Sequence, residues 1–119
     1  MIHAYTIQCA QNHTVAMVLA DAAKASPDLV INIISKITPV LKARINWTCT
    51  ECGTGPAAVQ HIPTPAKTWT DTPLNEDAPD DFDHENTAVV VVGRDNQGKA
   101  SFCALSLHKI GDITKQSSN

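Results

Sequence analysis

Two close-spaced pairs constrain this chain more than any other feature: Cys9 with His13, and Cys49 with Cys52. Within Cys9-Ala10-Gln11-Asn12-His13, and again within Cys49-Thr50-Glu51-Cys52-Gly53, a single turn can aim both side chains at one point. A fold that brings the two turns together gathers three sulfurs and one imidazole, a donor set suited to a tetrahedral zinc ion. The N-terminal segment and the segment around residue 50 therefore have a chemical reason to meet. Gly53 relieves the backbone where the second turn closes.

Cysteine chemistry depends on compartment. The start, Met1-Ile2-His3-Ala4-Tyr5, has neither the basic n-region nor the apolar h-region of a secretory leader. The longest apolar run, around Leu29 to Ile34, is broken by Asn32 and falls short of the ~20 residues a bilayer span needs. The expectation is a cytoplasmic protein without membrane contact, whose four cysteines serve as metal ligands or free thiols rather than disulfides. At 119 residues the chain is read as one domain, 1–119. A net charge of −3 supplies no global basic field, and aromatic residues are too few to stack a run of bases. Both facts argue against nucleic acid as the partner.

Read in order, Ile2 to Cys9 alternates as a strand, with Tyr5, Ile7 and Cys9 on one face. Thr14 to Ala25 is alanine-rich and carries Val15, Val18, Leu19 and Ala22 on a helical stripe, which predicts a first helix. Ser26-Pro27-Asp28 reads as the N-cap and first turn of a second helix, reaching about Arg44 and continuing with a kink past Pro39. Its isoleucine-, valine- and leucine-rich arc marks a core helix rather than a DNA-reading one. Ile45 to Thr48 is read as a short strand, and Ala57 to Ile62 as another. Residues 63–86 are proline-rich and acidic, which predicts a long loop. Thr87 to Val92 is a β-branched run expected to be buried on both faces, and Ser101 to Lys109 alternates as its hairpin partner, with a polar tail after Gly111. The predicted fold class is α+β: two consecutive helices packed on a small, mainly antiparallel sheet, with a structural zinc site.

On the two ligand pairs, Cys9 to His13 and Cys49 to Gly53, the chain resembles the zinc-ribbon or zinc-knuckle type of small protein. It departs from that pattern in carrying Asn12 where a glycine is common, and in an expected two-helix insertion between the pairs. The resemblance implies a structural Zn2+ and names no function. The candidate ligands are Cys9, His13, Cys49 and Cys52, with Cys103 read as a core residue or as a substitute for His13. A redox Cys-x-x-Cys wants a helix N-terminus at the motif, and Gly53-Thr54-Gly55-Pro56 supplies a turn instead. A zinc deaminase needs a His-x-Glu, and His13 is followed by Thr14 and Val15. Four protein ligands also close the coordination sphere, so no catalytic residue is assigned. Glu51 is read as a solvated turn residue, and His3, His61, His84 and His108 as unpaired surface or satisfied histidines.

Asp80, Asp81, Asp83 and Glu85 end an acidic run free of basic residues. Such a run either remains solvated or steers the chain onto a basic surface of a protein partner. The functional expectation is a non-enzymatic, zinc-stabilised protein-interaction module, in its sharpest form a phage- or mobile-element-type inhibitor of a host nucleic-acid machine. The alternatives are a small thiol- or zinc-dependent enzyme using Cys49 and Cys52, and a zinc-knuckle nucleic-acid module using Lys36, Lys42, Arg44 and Lys67.

Overall fold

The computed structural model describes residues 2–41, 44–66 and 85–117. Its centre is a five-stranded antiparallel sheet. The strands are β1 (Ile2–Gln8), β2 (Thr14–Asp21), β3 (Ala58–Ala66), β4 (Thr87–Arg94) and β5 (Ala100–Ser106). They lie in the order β3-β1-β2-β4-β5. Helix α1 (Pro27–Val40) connects β2 to the segment that precedes β3, and α2 (Leu107–Ser117) follows β5.

This architecture overturns the fold class predicted from sequence. The first of the two consecutive helices is absent, and its residues form β2, paired with β1 from Ile2↔Asp21 to Gln8↔Thr14 and with β4 from Met17↔Val92 to Ala20↔Val89. The physical reason is burial on both faces. Ala16, Val18 and Ala20 pack into the helix-side core, while Leu19, with Met17 beside it, packs into a second cluster on the opposite face. A strand covered on both sides shows no polar–apolar alternation, and its alanines and valines mimic a helical stripe. Pairing with two neighbours then overrides local helix propensity.

Helix α1 starts where Ser26 caps it: its Oγ accepts the Leu29 N–H at 3.2 Å, and Pro27 occupies the first turn. It passes Pro39 and ends at Val40, short of Arg44; the Leu41 N–H closes on the Ile37 carbonyl at 2.9 Å. Val30, Ile33, Ile34 and Ile37 from this helix join Tyr5, Ile7, Val18, Val89, Val91 and Leu105 from the sheet in one core. The segment from Ile45 to Thr48 is irregular rather than a strand, anchored by buried Ile45 and Trp47 and by the Asn46 N–H on the Arg94 carbonyl at 2.7 Å.

Strand β3 extends to Ala66, four residues beyond Ile62, and takes in Pro63 and Pro65. It has one described neighbour, β1, and an edge position tolerates residues that lack an N–H donor. Residues 67–84 of the anticipated long loop lie outside the described residues. Ala88 to Val91 of β4 are fully buried, as a strand covered on both faces requires. The β4–β5 hairpin turns at Asp95, whose Oδ1 accepts the N–H groups of Gln97 and Lys99 at 2.8 and 3.0 Å. Beyond Ser106 the predicted strand gives way to helix α2. The Ser106 Oγ accepts the Lys109 N–H at 3.1 Å, a cap that starts the helix, and Ile110 buries against the core despite the helix cost of Gly111. No helix among the described residues is long and apolar enough to cross a membrane.

Candidate metal centre

The first Cys/His pair is the loop of the β1–β2 hairpin. Cys9 closes it with its N–H on the His13 carbonyl at 2.9 Å, and the Asn12 N–H returns to the Cys9 carbonyl at 3.0 Å. Asn12 sits at φ 67°, the left-handed conformation that asparagine tolerates better than most residues. It therefore takes over the role a glycine would fill. The second pair lies on a tight turn between α1 and β3. There the Gly53 N–H donates to the Cys49 carbonyl and the Cys49 N–H to the Thr54 carbonyl, each at 2.8 Å, with Gly53 at φ 70°. The turn is fastened to the hairpin by the Ala57 N–H on the Gln8 carbonyl at 2.8 Å, directly before β3 pairs with β1.

These two turns bring the donor atoms of Cys9, His13, Cys49 and Cys52 within 4.8 Å of one another. The His13 Nδ1 lies 3.6 Å from the Cys49 Sγ. Neighbouring donors around a tetrahedral ion with ordinary metal–sulfur and metal–nitrogen bonds stand roughly 3.5–3.8 Å apart; the His13–Cys49 pair already stands at that spacing, and the widest pair closes by no more than about 1 Å to reach it. Cys9 and Cys49 are buried, whereas His13 and Cys52 are partly exposed. His13, Cys49 and Glu51 border a cleft of about 640 Å³ between the start of β2, the second turn and the β4–β5 hairpin. An ion or a chelator thus has a route in. Cys103 stays out of the cluster. It packs in the core opposite Val91, where burial pushes its thiol pKa up.

Two residues outside the expected ligand set complete the site: Glu51, read from sequence as a solvated turn residue, and Thr54. Glu51 is partner to His13: its Oε2 lies 2.9 Å from the His13 Nε2. The ring thereby directs Nδ1 at the cluster and Nε2 at a carboxylate, the arrangement that fixes a ligating histidine's tautomer and raises its basicity. Thr54 is partner to Cys52, with 3.1 Å between its Oγ1 and the sulfur. That hydroxyl, helped by the Thr54 N–H and by Cys9, lowers the Cys52 pKa to about 6. Cys49 receives the N–H groups of Cys52 and Glu51, which favour its thiolate, yet desolvation and the neighbouring sulfurs of Cys52 and Cys9 hold its pKa above the ordinary thiol value. The two sulfurs of the second turn are thus set apart: Cys52 is shifted toward the thiolate and Cys49 toward the thiol. Glu51 carried no signal in the sequence because His13 is distant along the chain; Thr54 was legible only as part of a turn.

Of the expected partner-binding residues, Asp80, Asp81 and Asp83 lie outside the described residues. Glu85 is exposed, and its backbone carbonyl accepts the Lys24 ammonium, which also reaches the Thr87 carbonyl. No protein-family model, no curated protein and no solved structure matches the chain. The metal-binding reading therefore rests on the four donors and on what holds them.

Proposed function

We propose that Cys9, His13, Cys49 and Cys52 hold one zinc ion as a closed structural centre of zinc-knuckle type, and that the chain is a non-enzymatic module acting through contact with another protein. The observation that carries the first half is the convergence of three sulfurs and one imidazole from two independently hydrogen-bonded turns. Three thiolates with one imidazole suit zinc over harder cations and form a common structural donor set. Four protein ligands leave no position for a substrate, and the nearby carboxylate, Glu51, is directed at the His13 ring rather than at an open coordination site.

The second half draws on the acidic run ending in Asp80, Asp81, Asp83 and Glu85, whose charge suits a basic protein surface. Inhibition of a nucleic-acid machine is the sharpest form of that idea, because such machines present basic grooves. Elemental analysis of the purified chain is expected to give one zinc per molecule, lost in Cys49→Ser. Absence of metal from the parent protein removes the centre. Replacing Asp80, Asp81 and Asp83 by asparagine is expected to weaken partner capture in a salt-dependent manner while leaving zinc content unchanged. Capture unaffected by that change retires the acidic docking surface.

A further inference from the structure

The histidines expected to stand alone include two that do not. His3 on β1 and His61 on β3 face each other across the strand pair, with the His3 Nδ1 2.9 Å from the His61 Nε2. The register explains the meeting. Tyr5 is directly opposite His61, which makes His3 a diagonal neighbour, and the β1–β3 ladder is irregular between Ile2 and Ala4, on either side of His3. The His61 ring also lies against the Tyr5 ring at 4.7 Å between centroids, with 15° between planes. Tyr5 is itself locked in the core at 1% exposure. One imidazole is therefore held in place by a buried neighbour, and the other reaches it from the adjacent strand.

We infer that His3 and His61 form a two-imidazole site for a divalent late transition-metal ion, separate from the cysteine-rich centre. Metal–imidazole bonds of about 2.0–2.1 Å meeting at a right angle place the two nitrogens about 2.9 Å apart, whereas a tetrahedral angle needs roughly 3.3–3.4 Å. The observed separation matches adjacent positions of a tetragonal ion, the geometry of Cu2+ and Ni2+, and both ions take imidazole readily. A neutral pair releases no proton on binding. In the free pair one of these two nitrogens donates its N–H to the other; on binding, the donor ring moves that proton to its other nitrogen through solvent, so that Nδ1 of His3 and Nε2 of His61 both present a lone pair to the ion and no net proton is lost. His61 is exposed and His3 half-buried, so the remaining coordination positions open to water. Two ligands on adjacent strands of one sheet hold their spacing better than ligands on loops. The cysteine cluster differs in donor softness and in closure, which separates the two sites chemically.

The test uses the full chain with its cysteine centre saturated by zinc, titrated with Ni2+ in a calorimeter and followed by absorbance. The parent is expected to take up one Ni2+ beyond the zinc. His3→Ala and His61→Ala should each weaken that uptake by at least about tenfold, since either change turns a chelate into a single ligand. His108→Ala should leave it unchanged, and Ni2+ should raise the melting temperature of the parent but of neither variant. No uptake beyond zinc would show that the pair is a hydrogen bond only and overturn the site. Uptake unweakened by His61→Ala also overturns it, because the ion would then bind without the pair. A Ni2+–thiolate absorption band would assign the ion to the cysteines and overturn the site equally. Because His61 is exposed, its variant keeps the test decisive even if His3→Ala fails to fold.

Discussion

At the scale of single residues, the candidate metal centre has two partners, Glu51 and Thr54, beside its four donors. Glu51→Gln keeps the shape of the side chain and removes the charge beside the His13 Nε2. The expected result is a loss of about tenfold or more in metal affinity, measured by competition with a chromophoric chelator. Thr54→Val removes the hydroxyl that lowers the Cys52 pKa to about 6. A thiol whose folded-state pKa is lowered favours the folded, thiolate form at higher pH, and that contribution is lost as pH falls through about 6. Metal release on acidification, followed with a zinc indicator between pH 5 and 8, should therefore begin at higher pH in Thr54→Val than in the parent. A different residue shows the cost of an unpaired group. The Thr6 Oγ1 is buried with no hydrogen-bond partner, so Thr6→Val is expected to stabilise the protein by about 1 kcal/mol in denaturant titration.

At the scale of elements, each turn of the centre is set by one left-handed residue. Gly53 takes φ 70° and has open space around the position of a missing Cβ, so a side chain there meets backbone strain rather than a clash. Gly53→Ala should cost about 1–2 kcal/mol and weaken metal binding. Asn12→Gly, at the equivalent point of the hairpin loop, should retain the metal fully. Elemental analysis and thermal melts of the two variants check this contrast. The element most misread from sequence is β2. Its stripe of Val15, Val18, Leu19 and Ala22 suits a helix, but the Cys9-to-His13 loop is short enough to return the chain directly beside β1, and β4 covers the other side. Helix α2 was missed for the opposite reason. Leu105 and the residues after it continued an alternating pattern, and the cap supplied by Ser106 becomes visible only once its hydroxyl is seen to accept the Lys109 N–H.

At the scale of the whole molecule, the candidate metal centre lies where the tip of a hairpin in the middle of the sheet meets the connection leading from α1 into the edge strand β3. An ion held by the four donors, as proposed, would tie elements distant in sequence, and its removal is expected to loosen that junction. Binding to the folded state alone adds about 4 kcal/mol when free ion exceeds Kd a thousandfold. For a domain of this size that corresponds to roughly 15 °C in Tm. Chelation is expected to lower the melting temperature by about that much, with a change in tryptophan emission because buried Trp47 stands two residues before Cys49. An unchanged melt after complete metal removal would show that the sheet and α1 carry the fold without it.

The sequence by itself determined which four donors the fold would gather, the cap and face of α1, and the doubly buried β4, because these depend on residue chemistry, local spacing or composition. Tertiary structure decided the rest. Strand β2 exists because two neighbours pair with it, Glu51 matters because the turns bring it to His13, and His3 finds His61 across a ladder that no local pattern announces. The physical reason is the same in each case: hydrogen-bond ladders and shared burial act between residues far apart in the chain. The pairs Cys9/His13 and Cys49/Cys52 were legible as candidate ligands from the start, but that the first is a hairpin loop in the sheet became visible only in the fold.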